Sequence, residues 1–338
     1  MNKFSWYEAK SVEDAVKQAN STVSKELNEP AGDAAIFKSG GIDVWDLFKE
    51  GLIEPKTVVN VRNIPGLDKI GFSQNNGLSI GANVTLTEME DSEEIKKNFS
   101  ALQVAVAHAA TPQLRNMSTL AGNLAQRTRC WYFRSSDHPC LRKGGDRCFA
   151  RNQDSGENEN HAILDNATCV SLHASSIATA LLAYQASVVY VDSTGAKMEV
   201  PIEDFFVSPG QDVTSENILK PGDLITEIRI PTPSANTKSY YIKQVARESY
   251  DWSLADVAVV AEMSGKTCEK ISIALGAAAP TPIRAYRAEG LLVNKPITEA
   301  KAKLAAEAAV GFARPLTMNG YKVPLFESIV KRALLEIA

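Results

Sequence analysis

Between Arg127 and Asn160 the chain runs polar, with little periodic hydrophobicity, and this stretch carries three of its five cysteines. A segment of that length without regular structure is uncommon inside a compact protein unless function or ligation orders it. Cys130, Cys140 and Cys148 lie in it, Cys169 follows soon after, and Cys268 stands alone further on. The histidines His108, His138, His161 and His173 fall in the same part of the chain. The gaps between the first four cysteines hold nine, seven and twenty residues, so no pair has the C-x₂₋₄-C spacing that structural zinc sites prefer. Wide, irregular spacing in a polar excursion suits four thiolates wrapped around an iron–sulfur cluster, whose ligation supplies the order a hydrophobic core does not. Buried free cysteines, a zinc loop and mixed ligation that includes His138 remain open on these residues alone. Cys268 reads as a bystander in a turn between strands. Five cysteines in 338 residues do not make a disulfide scaffold.

A chain of 338 residues exceeds what one core usually organises, so two or three subdomains are expected. The net charge of −4 and the absence of a basic stripe argue against a nucleic-acid partner. No run of eighteen apolar residues occurs, so no membrane span is expected. The polar, amphipathic start lacks the apolar core and cleavage site of a secretory signal.

Ser11 to Asp14 resembles a capping box ahead of a helical stretch. Ala34–Phe37 reads as a short buried strand that runs through Ser39-Gly40-Gly41 into a helical pattern from Val44 to Glu50. Thr57–Val61 and Leu78–Ala82 read as further strands, and Ala101–Ala110 as a helix ended by Thr111-Pro112. Leu114–Leu124 reads as strand-like with a Gly122-Asn123 turn inside it. A helix over Ile177–Ala186, a strand over Ser187–Val191 and an irregular region from Pro201 follow. Ile225–Ile230, Tyr240–Val245, Ala255–Met263 and Lys270–Leu275 read as strands, before two closing helices at about 297–312 and 321–337.

Two small-residue turns could approach a phosphorylated cofactor. A strand that passes through Gly40 and Gly41 into a helix can aim bare backbone N–H groups at a diphosphate, because glycine carries no side chain to hold the phosphates away. Ser118, Thr119 and Asn123 offer hydrogen bonds around Gly122. Each turn, taken alone, is also explained as an ordinary connection.

Together these residues resemble the FAD-binding medium subunit of the xanthine dehydrogenase and aldehyde oxidoreductase family of molybdenum hydroxylases. The resemblance rests on Lys38–Asp46, Thr111-Pro-Gln-Leu-Arg-Asn-Met-Ser-Thr-Leu-Ala-Gly-Asn123, Cys169-Val-Ser-Leu-His-Ala-Ser-Ser176 and Tyr241-Ile-Lys-Gln-Val-Ala-Arg247. Gln126-Arg-Thr-Arg-Cys130-Trp-Tyr-Phe133, Pro139-Cys140, Cys148, His161-Ala162 and Cys169 resemble a subgroup with an extra [4Fe–4S] cluster, and the aldehyde oxidoreductase version is the nearer one. The implied fold is α+β: a two-part FAD-binding domain of the vanillyl-alcohol-oxidase (PCMH) type plus a C-terminal domain of the CO dehydrogenase flavoprotein type. The implied division is 1–222, with subdomains at about 1–56 and 57–222 and an Fe–S insertion at about 127–165, followed by 223–338.

The implied FAD-binding set is Phe37, Lys38, Ser39, Gly40, Gly41, Ile42, Asp43, Thr111, Ser118, Thr119, Ala121, Gly122, Asn123, Ser176 and Lys243. The implied metal ligands are Cys130, Cys140, Cys148 and Cys169, with no catalytic acid, base or nucleophile. Two departures from the family's pattern stand out. Ile42 replaces a usual Ser or Thr, and Ser176 replaces a usual Asp that contacts the adenosine part of FAD. The resemblance implies electron transfer from a large molybdenum-cofactor subunit and a small subunit with two [2Fe–2S] clusters, through the FAD here, to an external acceptor. A heterotrimer or a dimer of heterotrimers is expected, periplasmic by co-export with a partner, or else cytoplasmic. The alternatives are the medium subunit of a complex like 4-hydroxybenzoyl-CoA reductase or xanthine dehydrogenase, and a flavoprotein or scaffold module with a zinc or empty cysteine loop.

Overall fold

A computed structural model describes residues 2–152 and 154–338. The first unit is a three-stranded parallel sheet, ordered β1-β3-β2, of β1 (Ser5–Glu8), β2 (Ala35–Lys38) and β3 (Thr57–Asn60). Helices α1 (Val12–Gln18), α2 (Val23–Asn28) and α3 (Ile42–Lys49) accompany it. Ser11 caps α1 by accepting from Asp14 N. The capping box is only half made, because the Asp14 carboxylate turns instead to Lys10 N and Tyr7 Oη.

The second unit is an antiparallel sheet ordered β4-β5-β8-β6-β7. Its strands are β4 (Ile70–Ser73), β5 (Gly77–Gly81), β6 (Ser187–Val191), β7 (Lys197–Pro201) and β8 (Leu224–Ile230). Helices α4 (Leu86–Asp91), α5 (Glu93–Asn98), α6 (Ser100–Ala107), α7 (Pro112–Arg115) and α8 (Leu120–Leu124) lead to the cysteine excursion. The excursion contains α9 (Trp131–Arg134), and α10 (Ser176–Ala183) and α11 (Ile202–Phe205) follow it.

The segment expected to be strand-like is therefore two short helices. Thr111 and Thr119 each accept a backbone N–H three residues on, which starts a helix, and Pro112 sits at the first helical position where its missing N–H costs nothing. Gly122 and Asn123 lie within α8 rather than in a turn. Residues 202–205, read as irregular, form α11.

The third unit is an antiparallel sheet of β9 (Thr237–Gln244), β10 (Ala255–Ser264), β11 (Thr267–Gly276) and β12 (Ile283–Arg284), with β13 (Lys295–Pro296) paired to β11. Helices α12 (Tyr286–Leu292), α13 (Glu299–Ala309) and α14 (Lys322–Glu336) cover one face. Val257, Val259 and Ala261 point to that side, while Ala258 and Ala274 join the core around α6 and α10. Both faces are covered, so β10 reads as a nearly continuous apolar run rather than an alternation. Cys268 is on β11 and fully buried, not in a turn; the hairpin turn falls just before it, at Gly265 and Lys266.

β3 pairs with β1 and β2, and β8 pairs with β5 and β6. The expected division at 56/57 falls immediately before β3, and that at 222/223 falls one residue before β8. At Gly276 a methyl group would sit 2.1 Å from both Asp256 Oδ1 and Thr179 Oγ1. Gly276→Ala is expected to cost ~1–3 kcal/mol by overpacking, read as a lowered midpoint in urea unfolding; a midpoint equal to the parent's would show that the contact yields freely.

Candidate functional site

The first glycine turn joins β2 to α3. Gly41 caps α3 with φ +84°, a left-handed conformation that glycine adopts without penalty, and no side chain caps the helix. The leading N–H groups are left to another acceptor. A methyl group at Gly40 would lie 2.2 Å from Met117 O, so this turn is pressed against the backbone that enters the second one. Ser39 Oγ donates to Asn83 Oδ1 at 2.7 Å, and Asn83 Nδ2 donates to Val61 O at 2.6 Å. The second turn is the α7–α8 connection at 116–119, where the Arg62 guanidinium donates to Met117 O at 2.9 Å; just past it, at the start of α8, Leu120 N donates to Val84 O and Ala121 N to Ala82 O.

One cleft lies between the two turns. Phe37, Lys38, Ser39, Gly40, Gly41, Ile42, Asp43, Ser118, Thr119, Ala121, Gly122 and Asn123 all line it, together with Arg127, Arg129 and the start of β8. Of the expected cofactor set, Ser176, Thr111 and Lys243 do not. Thr111 is spent capping α7, and Lys243 Nζ donates to His108 O at 2.8 Å. Ser176 lines a second cleft with His173, Trp252 and Asp256. Arg129 lines both clefts, and Ser175 Oγ donates to Asn123 Oδ1 at 2.5 Å between them. The clefts enclose about 1050 and 1000 Å³ of free space, their open mouths included.

Several buried polar atoms at this junction lack partners: Arg129 Nε, His173 Nε2 and Asp256 Oδ1. Burial pushes His173 down to about 4, so its ring is neutral near pH 7. Burial pushes Asp256 up to about 6, and the Thr179 and Ser253 hydroxyls and Lys243 limit that rise. The Thr179 hydroxyl is near enough to lower its pKa, yet Asp256 Oδ1 completes no well-directed hydrogen bond. Orphaned polar atoms on residues of the second cleft, which Arg129 joins to the glycine-lined first, fit an extended polar ligand such as a dinucleotide.

The four grouped cysteines are free thiols that line one small cavity with Tyr132, Phe133, Phe149 and Ser171. Burial pushes Cys130 up to about 12, and the neighbouring Cys169 and Cys140 add to the rise. Among the described residues, no three His, Cys, Asp or Glu side chains converge as a single ion requires. A single zinc ion draws its ligands to about 2–2.3 Å from one point, whereas a polynuclear cluster keeps its thiolates apart across its own body. The donor set, four thiols without a carboxylate, fits the cluster. His138 is not in the cavity wall: its ring packs edge-on against Tyr132 and Phe149, and Nδ1 lies 3.0 Å from Ser135 Oγ. The histidine at the thiols is His161, with Nε2 3.3 Å from Cys130 Sγ.

What sequence reading missed is the ionic frame. Asp43, in the first turn of α3, accepts Arg127 N at 2.9 Å and pairs with Arg129 at 2.9 Å and Arg134 at 2.6 Å. Glu216 pairs with Arg127 and Arg142 at 3.6 and 3.5 Å. Burial alone would raise Glu216, but Arg127 and Arg142 outweigh it and hold its pKa below the ordinary value. Phe133 and Cys140 join the apolar core beneath α3, so the excursion is anchored to the first unit by packing as well. The arginines that flank Cys130 were the available signal.

Comparison with known proteins bears on these features. Residues 2–233 match the FAD binding domain in molybdopterin dehydrogenase, and residues 240–337 match the CO dehydrogenase flavoprotein C-terminal domain. The aldehyde oxidoreductase FAD-binding subunit PaoB of Escherichia coli K12 is 30% identical over 95% of this chain and 96% of its own. The carbon monoxide dehydrogenase medium chain of Hydrogenophaga pseudoflava is 26% identical over 98% and 96%. The structure of carbon monoxide dehydrogenase from that organism, lacking the Mo-pyranopterin moiety, superposes with a TM-score of 0.73 at 25% identity, covering 99% of this chain and 96% of that one. The chain belongs to the family of FAD-binding medium subunits of the xanthine dehydrogenase/carbon monoxide dehydrogenase group of molybdenum hydroxylases.

Proposed function

We propose that this chain is the FAD- and [4Fe–4S]-bearing electron-transfer subunit of an aldehyde-oxidising molybdenum hydroxylase. Two neighbouring residues carry the reading: Arg129 lines both clefts, and Cys130 lines both the second cleft and the thiol cavity. A flavin laid across the clefts and a cluster held by the thiols would thus be separated by one stretch of backbone. FAD, when bound, exchanges electrons with other redox centres.

The chain's own residues bind and orient. Backbone N–H groups at Gly41 and Ile42 would hold the diphosphate, and the Ser118 and Thr119 hydroxyls, which line the same cleft, would bind it from the other wall. Ile42 removes a side-chain hydroxyl but keeps its N–H at the head of α3. Ser176 brings no carboxylate, yet Ser176 Oγ is 3.3 Å from Ser253 Oγ, and Asp256 supplies a carboxylate to the same cleft. The Asp256 carboxylate in this cleft supports a working flavin site over a scaffold that has lost it.

The relatives' names support a complex, since they include a medium chain and a subunit of a dehydrogenase complex. In this reading a large molybdenum-cofactor subunit oxidises the substrate and a small [2Fe–2S] subunit relays electrons to this chain. An external acceptor takes them from the FAD. Residence in the periplasm by co-export with a partner belongs to the same proposal. A zinc loop is the second reading, with the same four cysteines as its donors.

Three experiments test the reading. The purified protein should show flavin absorption with an added broad shoulder that dithionite bleaches, whereas a colourless protein carrying stoichiometric zinc would end the cluster assignment. In Cys140→Ser, iron content should fall to background while flavin is retained; unchanged iron removes Cys140 from the ligand set. Gly40→Ala forces the two turns apart at the Met117 O contact and should weaken FAD binding about tenfold or more, or ~1.4 kcal/mol, with far-UV dichroism unchanged. Undiminished flavin after gel filtration would show that the turn is not a phosphate cradle.

A further inference from the structure

Cys130 differs from the other three thiols in its surroundings. It alone of the four lines both the thiol cavity and the second cleft. Its sulfur lies 3.3 Å from His161 Nε2, and His161 is itself part of the second cleft's wall. Cys169 Sγ, by contrast, donates to Ser171 Oγ at 3.4 Å and does not line the second cleft. Among the described residues, Cys130 is the one cysteine of the set with a ring nitrogen in hydrogen-bonding reach.

His161 is fixed from behind. Asn319 Nδ2 and Lys322 Nζ donate to its carbonyl at 3.0 and 3.2 Å, and Lys322 Nζ also donates to Ala277 O at 2.8 Å. The residue is 3% exposed and Nδ1 has no partner. With the backbone held and the ring enclosed, the one polar contact left to the imidazole is the Cys130 sulfur. The tautomer with its proton on Nε2 makes that contact a donated hydrogen bond.

We propose that His161 is a positioning residue whose Nε2–H hydrogen-bonds the Cys130 sulfur and raises the reduction potential of the cluster at the ligand nearest the flavin cleft. The inference rests on the reading of the four thiols as cluster ligands. A hydrogen bond donated to a ligating sulfur stabilises the reduced, more negative cluster, and hydrogen bonds to sulfur are among the determinants of cluster potential. Among the described residues Cys130 is the one proposed ligand that borders both cavities, and the electron exchange that FAD and cluster supply when bound would need no bond made or broken.

The test uses the full chain reconstituted with ferrous iron, sulfide and FAD. Wild type, His161→Ala and His161→Gln are compared by redox titration followed by electron paramagnetic resonance, with iron and flavin content measured on the same samples. The Gln amide N–H reaches about as far as Nε2–H and replaces the donor. His161→Ala should titrate at a more negative potential, His161→Gln should stay near wild type, and the flavin midpoint should not move. Iron lost from His161→Ala but kept by His161→Gln also supports the bond, as one that holds the ligand. If all three clusters titrate together, the inference fails while the cluster reading stands. If both variants lose iron yet keep FAD, the ring is a ligand rather than a donor, and the inference fails. If wild type takes up no iron, the cluster reading itself falls and the inference goes with it.

Discussion

The carboxylate of Asp43 is the anion on which both halves of the site hang. It stands in the first turn of α3, directly after the glycine turn, where a negative charge suits the positive end of the helix. Three groups from the start of the cysteine excursion converge on it: the amide of Arg127 and the guanidinium groups of Arg129 and Arg134. Each is a charge-assisted contact at low exposure, stronger than a neutral hydrogen bond. The excursion has few apolar residues of its own, so these pairs fix its position against the cofactor turn.

Glu216 is the counterweight on the other side. It draws Arg127 and Arg142 together in the interior, where the loss of one partner strands a buried charge at a cost of about 3–5 kcal/mol. Arg142 also donates to Ser171 Oγ and to the carbonyls of Val213 and Ser215. Its Nε and Nη1 groups are thereby partnered in the interior, which offsets the cost of burying them. The two carboxylates come from opposite ends of the flavin-binding region and grip the same run of arginines.

Local signals were the legible ones. The gathering of Cys130, Cys140, Cys148 and Cys169 pointed to a common cavity, and the paired glycines at 40 and 41 pointed to a turn that faces a ligand. The strand over Ser187–Val191 is legible because a β-branched run bounded by turn residues decides it without outside help. Gly122-Asn123 misled, because the Thr119 cap outweighed the turn preference of that dipeptide. Thr111 and Lys243 were placed at the cofactor by the family resemblance; in the fold Thr111 Oγ1 accepts Leu114 N and Lys243 Nζ donates to the His108 carbonyl. The arginine frame was illegible because its acceptor at Asp43 is 84 positions from Arg127, a separation that no periodicity reports. The choice of His161 over His138 is likewise set by tertiary packing.

The double-sided burial of β10 has a consequence for how this protein can be divided. Tyr241, Ala258 and Ala274 belong to the same apolar core as α6 and α10, although they come from the C-terminal sheet. A shorter protein that stopped before Thr237 would leave the α6 and α10 sides of that core wet, and the remainder would expose the matching face of its sheet. The two matched regions are therefore welded: neither is a free-standing module that evolution or an engineer could move to another chain without first giving it a new polar skin.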